Sequence, residues 1–598
     1  MKSTHLTAAS LLISFCQSSP LLQTSAFLDI ETRQSPGSYF AITGATGGVF
    51  PRMEIRDLEK AGEMWNLYLL AMASFQAMDQ KNIASWYQIA GIHGMPWIPW
   101  DGVKGIITDE KSTSQRGYCP HNQLLFATWH RPYLALFEKQ QLQKLAKNIA
   151  DQFPTPTRKV YQTAASQLRI PFWDWAKALP TSQPVLPTAV TVEKVSVTFP
   201  NGTKANIDNP LYDYNFHPLD HSQINGTGCP TIGTPGGAVG GLPSVCDNSL
   251  MTVRNGETVS DHVGLNQKLR NILPSQRTKV YAILSQWQSF NTFSNDGGCG
   301  VGGPGTLETV HNPIHTNMWP GHMSPASVSA FDPIFWLHHA NVDRQMALYQ
   351  AVFPQTYVEQ CIADTPTYTI EKGDVLDANS PLTPFHKNAA GDWWTSANSR
   401  NTRDMGYTYP ELTSNPSNST LVAQIKSLYS GPATGSSSQP RAKRQEPGPG
   451  PEKGLVYLVE VKLPLYGLDA GAPYNLLVFL GNVASDSKEW LGSDSFVGMA
   501  STLGGNNMKS EQFTLTTVDL SEALEKRIAA GDTTAEQAEE YLKKNLHYRL
   551  ELGEIEIPRA EVPGIKVSLV TTEVELAASN DVFDRWVGGF VDHGEVDS

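Results

Sequence analysis

HNPIH (His311–His315), followed by DPIFWLHHANVDR (Asp332–Arg344), is the stretch on which the reading of this chain turns. Histidines four residues apart share one face of an α-helix. Helical spacing also runs from Ile334 to Tyr349. An HxxxH alone is weak, because many helices carry two histidines on one face. Here it does not stand alone. An upstream block holds GIHG around His93, YCPH ending at His121, and WHRPY around His130. With one of the adjacent pair His338-His339 counted, six histidines thus fall into two sets of three. No carboxylate or free thiolate stands at a spacing that would complete either set. Neutral imidazole is a good ligand for copper, zinc, iron and nickel. Two all-nitrogen sets with vacant positions point to a redox metal pair that binds dioxygen between its ions. A satisfied core histidine explains any one of the six, but not six in this order.

These blocks resemble the type-3 copper proteins, and most closely the fungal tyrosinases and related polyphenol oxidases. The similarity runs from about Gly47 to Leu412 and more weakly through the C-terminal region. It implies two copper ions, one held by His93, His121 and His130, the other by His311, His315 and His339. It selects His339 over its neighbour His338, since only one of two adjacent helical residues points at a metal. Asp343, four residues beyond His339, is expected to fix the ligand-bearing turn, or else to be a helix-surface carboxylate. The resemblance also implies that Cys119 is joined to the His121 ring as a thioether. The alternatives for Cys119 are a disulfide partner or an inert thiol. His322 is expected in a loop near the site and not as a ligand.

Glu308 lies three residues before His311, on the same helical face, and Asn312 follows it directly. In the family such a pair is thought to hold a water that takes a phenol's proton. The plainer alternative is a helix-start carboxylate with a polar neighbour. GYTYPEL (Gly406–Leu412) resembles the family's closing tyrosine motif, with Arg52 and Arg56 as its partners. The C-terminal region resembles the shielding domain of latent tyrosinases, in which a side chain plugs the pocket; Phe496 and Phe513 are the candidates. It carries no cysteine, the last being Cys361, so a Cys-x-x-Cys copper relay is not expected.

At 598 residues the chain has material for several domains. A net charge of −13 argues against nucleic acid or an anionic membrane as partner. Lys2, the apolar stretch Leu6 to Phe15, and Thr24-Ser25-Ala26 read as an export signal, residues 1–26. The apolar run is too short to span a membrane. Sequons at Asn201, Asn225 and Asn418 agree with secretion. With Cys16 in the signal and Cys119 assigned, Cys229, Cys246, Cys299 and Cys361 remain. They form an even set that could make two disulfides, with Cys229–Cys246 as the expected loop staple, or stay as free thiols.

The expected architecture is a mainly α catalytic domain, residues 27–430, with a four-helix-bundle dicopper core and long loops. A Gly/Ser/Pro-rich linker, residues 431–454, holds Lys443-Arg444, a candidate site for a processing protease. Residues 455–598 alternate like strands from Leu455 to Leu463, Asn475 to Leu480, Phe513 to Val518, Tyr548 to Ile557 and Ile565 to Glu575. Thr534 to Leu546 reads as a helix, giving a smaller β-sandwich-like domain. The functional expectation is a secreted, latent oxidase turning o-diphenols into o-quinones with O₂, and hydroxylating monophenols. Alternatives are a catechol or o-aminophenol oxidase without that hydroxylation, a haemocyanin-like oxygen carrier, and a dizinc hydrolase.

Overall fold

Thr306 starts the helix that carries the second histidine block. Its hydroxyl accepts the Thr309 N–H, and the Thr309 hydroxyl accepts the Thr306 N–H. This capping box satisfies two donors that a helix start otherwise leaves over. Asp332 caps the following helix by accepting the Ile334 N–H. Pro333 fills its first turn, where a missing N–H costs nothing.

The structure, a computed structural model, describes residues 38–106, 116–224, 249–286, 289–300, 302–430, 453–465, 468, 472–503 and 512–597. The expected signal 1–26, Lys443-Arg444 with nearly all of the linker, Asn225, and Cys229–Cys246 lie outside the described residues.

Seven helices position the site: α1 Glu63–Gln76, α2 Trp86–Gly91, α3 Phe126–Ala135, α4 His262–Ser285, α5 Leu307–Thr316, α6 Pro333–Val352 and α7 Asn418–Tyr429. α1 buries Leu69, Met72 and Phe75, which recur at three-residue intervals along one face. His93 follows the separate short helix α2. A proline suits a first helical turn, yet Pro132 lies inside α3, which begins at Phe126. The reason is burial. Every residue from Phe126 to Ala135 is buried, and that packing overrides a local proline signal. Past Pro132 the chain widens into a π-helix, Leu136–Gln143, a common answer to a disturbed i→i−4 ladder.

The two ends of the helical part meet. β1, Phe50–Pro51, pairs in parallel with a strand at Tyr407–Thr408. A hairpin pairs Lys194–Thr198 with Lys204–Asp208. Gly202 takes φ +84° in its turn, a conformation that favours glycine.

The C-terminal part is built from two four-stranded antiparallel sheets. One contains Phe496–Thr502, Tyr474–Leu480, Leu546–Leu552 and Ile555–Ile557, in that order. The other contains Phe513–Asp519, Lys453–Pro464, Lys566–Glu575 and Arg585–Glu595. Val459, Val461, Leu476, Val478, Leu550 and Leu569 belong to one buried cluster drawn from both sheets. Helices Ser521–Ala530 and Ala538–Asn545 are inserted between strands. Trp319, from the helical part, is buried in the same cluster. Residues 33–598 form a single compact unit. Among the described residues, no helix is long and apolar enough to cross a membrane.

Candidate metal centre

α6 delivers His338 and His339, α5 delivers His311 and His315, and α3 delivers His130. His93 stands just beyond α2, and His121 lies in a turn whose next residue, Asn122, adopts φ +55°. His311, His315, His338 and His339 each place a ring nitrogen within 4.8 Å of the others, all buried. His93, Cys119 and His130 form a second buried group on the same terms. His121 sits beside that group, its ring centre 4.9 Å from His93 and 6.3 Å from His311. The sequence expectation placed His338 behind the ligands. In the structure its ring stacks on His311 at 4.9 Å, so both neighbours on α6 reach the cluster. His339 faces the other way as well, lying 4.1 Å from His130 in a parallel stack.

The rings are aimed by their back nitrogens. Nδ1 of His93 bonds the Ala326 carbonyl at 2.8 Å, that of His130 the Phe126 carbonyl at 2.8 Å, and that of His315 the Met323 carbonyl at 2.6 Å. His311 Nδ1 bonds Asn312 Oδ1 at 3.0 Å. A carbonyl only accepts, so each Nδ1 carries the proton and each Nε2 keeps a lone pair. Among the described residues, the buried Nε2 atoms of His93, His311, His315 and His339 have no hydrogen-bond partner. Burial, helped by the neighbouring imidazoles, holds His93, His121, His311 and His339 well below the usual histidine pKa. His130 falls to about 3 and His315 to about 4, burial again being the first cause. Neutral rings with convergent, unpartnered lone pairs are what a pair of imidazole-binding metal ions requires.

Cys119 is buried and is the free cysteine among the described residues. Its Sγ lies 3.7 Å from His121 Nε2 and 3.4 Å from His130 Nε2. Burial pushes its thiol up, with Glu308 adding to the shift. Cys299 and Cys361 are joined, so neither competes for it.

Glu308 is fully buried. Its two oxygens accept the Asn122 N–H at 2.8 Å and the Asp296 N–H at 2.9 Å. Burial, then the Asp296 charge, raises its carboxyl well above the ordinary range. Asn312 donates to Asp296 Oδ2 at 3.3 Å. Asp296 thus touches both members of the expected pair, and it was missed in the sequence. The available signal was an acid opening the glycine-rich run to Gly305. Gly297 in that run passes so near the Asn122 carbonyl that a Cβ would lie 2.6 Å from its oxygen.

Asp343 anchors the base of the site. It accepts from Arg131 Nε at 2.7 Å, Arg52 Nη1 at 3.1 Å and the hydroxyls of Tyr407 and Tyr409 at 2.6 Å. Despite burial, these donors lower its pKa. Arg52 is therefore the tyrosine-motif partner. Arg56 is not, for it pairs with Glu54 and the Val185 carbonyl. His322 accepts the Val253 N–H and lies outside both groups. Phe496 packs on Phe479 and Phe513 lies under the Lys462 ammonium. Among the described residues, neither phenylalanine meets a ring of the histidine cluster.

The C-terminal part covers α5. Asn312 Nδ2 donates to the Ser501 carbonyl at 3.3 Å, and Thr316 to Ser501 Oγ at 3.4 Å. Lys279 of α4 donates to the Met499 carbonyl at 2.6 Å.

Comparison with known proteins agrees with this geometry. Residues 83–352 match the family described as the common central domain of tyrosinase, and residues 457–569 match the tyrosinase C-terminal domain. The chain is 36% identical to a tyrosinase of Neurospora crassa, over 62% of its length and 54% of the relative's. It is 38% identical to a tyrosinase of Podospora anserina, over 62% and 63%. It therefore spans less than two thirds of these curated relatives. Recombinant mushroom tyrosinase abPPO4 has a similar structure, with a TM-score of 0.77 at 27% identity, covering 94% of this chain and 99% of that one.

Proposed function

This chain belongs to the tyrosinase family, and from that premise we propose that it oxidises o-diphenols to o-quinones with O₂, hydroxylates monophenols, and is kept latent by its C-terminal part. The family's centre is a dinuclear copper site, and the two histidine groups fit it. The observation that carries the proposal is the convergence of buried, neutral imidazoles with free Nε2 lone pairs from His93, α5 and α6.

His93, His121 and His130 would hold one ion, and His311, His315 and His339 the other. When bound, the copper pair supplies dioxygen binding and two-electron oxidation. The protein's own groups do the rest. The carbonyls of Ala326, Phe126 and Met323 fix ring orientation, and Asp343 holds α6 against α3 through Arg131. Cys119 would be joined through sulfur to the His121 ring, losing its thiol hydrogen and one ring hydrogen to an oxidant, O₂. The bond would lock a ring that no helix positions. Glu308, its pKa raised by burial, would take a phenol's proton through a water that Asn312 helps to hold. A phenol has pKa near 10, so a monophenol needs this help more than a diphenol does.

The domain division 27–430 and 455–598, the signal 1–26 and cleavage at Lys443-Arg444 complete the proposal. The Cys299–Cys361 disulfide supports an oxidising compartment. The test is oxygen uptake with catechol and with tyrosine, before and after the chain is cut between residues 431 and 452. Cutting should raise both rates. A chain equally active before and after the cut is not latent. A chain that binds O₂ without consuming catechol is a carrier.

A further inference from the structure

Asn312 has two amide N–H donors and one carbonyl oxygen, and all three are committed. Its oxygen faces His311 Nδ1 at 3.0 Å. Its nitrogen donates to Asp296 Oδ2 at 3.3 Å and to the Ser501 backbone carbonyl at 3.3 Å. The residue is fully buried. The role proposed for it above needs a free N–H to hold a water, and while the strand Phe496–Thr502 is docked none remains.

We propose that the Ser501 carbonyl is a lock on Asn312. Docking of the C-terminal part takes the N–H that the proton-transfer water needs, and undocking returns it. Asp296 is the positioning residue that keeps the second N–H, and with it the orientation of the amide, in both states. The inference rests on the reading of Asn312 given above.

The contacts around Ser501 and Asp296 make the lock specific. Ser501 is itself pinned: its hydroxyl donates to Asn475 Oδ1 at 2.6 Å, and Asn475 donates to Glu551 at 2.5 Å. Thr316, one turn along α5, reaches Ser501 Oγ at 3.4 Å, so the strand is registered on the metal-bearing helix at this residue. Asp296 is almost fully buried, and the Thr306 hydroxyl that caps α5 donates to its other oxygen at 2.5 Å. Its N–H also donates to Glu308. One residue thus sets both members of the pair; of the two, the C-terminal part meets Asn312, and its Thr514 hydroxyl also acts on Asp296. Covering a site blocks every substrate alike. Occupying Asn312 burdens monophenol hydroxylation beyond diphenol oxidation.

The test uses the full chain with a specific protease site placed within residues 431–452. The first arm measures, on the metal-free cut chain, how readily the C-terminal piece separates on dilution, by gel filtration. Asn312→Ala should release it about fivefold more readily, the size of one net hydrogen bond. Asp296→Asn, which keeps an acceptor for the amide, should hold the piece nearly as well as wild type, whereas Asp296→Ala should not. The second arm compares copper-loaded chain before and after cutting. The activation factor for tyrosine should exceed that for catechol by about tenfold or more. Unchanged docking in both Asn312→Ala and Asp296→Ala, or equal activation factors for the two substrates, overturns the lock. A cut chain that oxidises catechol but never hydroxylates tyrosine overturns instead the role of Asn312 in hydroxylation, and the docking arm then decides the lock alone.

Discussion

The rings of His130 and His339 lie parallel, their centres 4.1 Å apart and their planes 17° from coincidence. Through this stack the two histidine groups share a wall. One ring comes from α3 and the other from α6, and Asp343, four residues past His339, accepts from Arg131, the residue after His130. A shift of α6 therefore moves both groups together, as a dinuclear centre requires.

Metal content separates the two adjacent histidines. His339 faces both groups, while His338 stacks on His311 and has Trp175 at 6.0 Å. We expect His339→Ala to lose copper and catechol oxidation, and His338→Ala to keep two copper ions per chain by elemental analysis. Equal copper loss in both variants would make His338 a ligand.

Cys119 should resist alkylation after reduction of the copper-loaded chain. Its peptide, which also carries His121, should be two hydrogens lighter than the sequence mass. Ordinary alkylated Cys119 recovered from active enzyme would dispose of the thioether.

Asp343→Asn should destabilise the fold by about 3–5 kcal/mol, because it takes the counter-charge from buried Arg131 and leaves buried Arg52 with Glu138 alone. The Asp343 pKa is depressed in the folded chain, so its contribution is complete above the unfolded value of about 3.9. It is lost as pH falls through the folded value. Urea unfolding should show the widest gap between wild type and variant near neutrality and a shrinking gap below about pH 4. A gap independent of pH would mean that the charge of Asp343 is not what holds the network.

Glu308→Gln should depress tyrosine hydroxylation about 10²–10⁴-fold, and catechol oxidation much less, with copper still bound. Burial and Asp296 raise the Glu308 pKa, so protonation should silence the base at a pH above the ordinary carboxylate range. The hydroxylation rate of wild type should fall as pH drops through that raised value, and the limb should be missing in the variant. Equal losses with both substrates would make Glu308 structural.

Much of this was legible in the sequence because the decisive residues are local. The HxxxH of α5, its Thr306 start and the Asp-Pro start of α6 are encoded within a few positions, and in the C-terminal strand Lys453–Pro464 the residues from Val459 to Leu463 alternate cleanly. What was not legible depends on partners far along the chain. Pro132 looked like a helix start, and only the packing of Phe126 and Trp129 places the start earlier. Phe496–Thr502 and Arg585–Glu595 went unmarked because glycine and small residues weaken their pattern. Asp296 touches Glu308 and Asn312 only through the fold. Arg56 stands near Arg52 in sequence, yet it turns towards Val185 instead of the tyrosines.

The central claim is a dinuclear copper oxidase of diphenols. Its most direct test is the rate of o-quinone formation from catechol as copper is added stepwise to the metal-free chain, which is then cut between residues 431 and 452. The account predicts a rate that rises and levels off at two copper ions per chain, and no rate at any copper level in His311→Ala. A rate that saturates at one copper ion, that persists in His311→Ala, or that zinc restores equally well would contradict it.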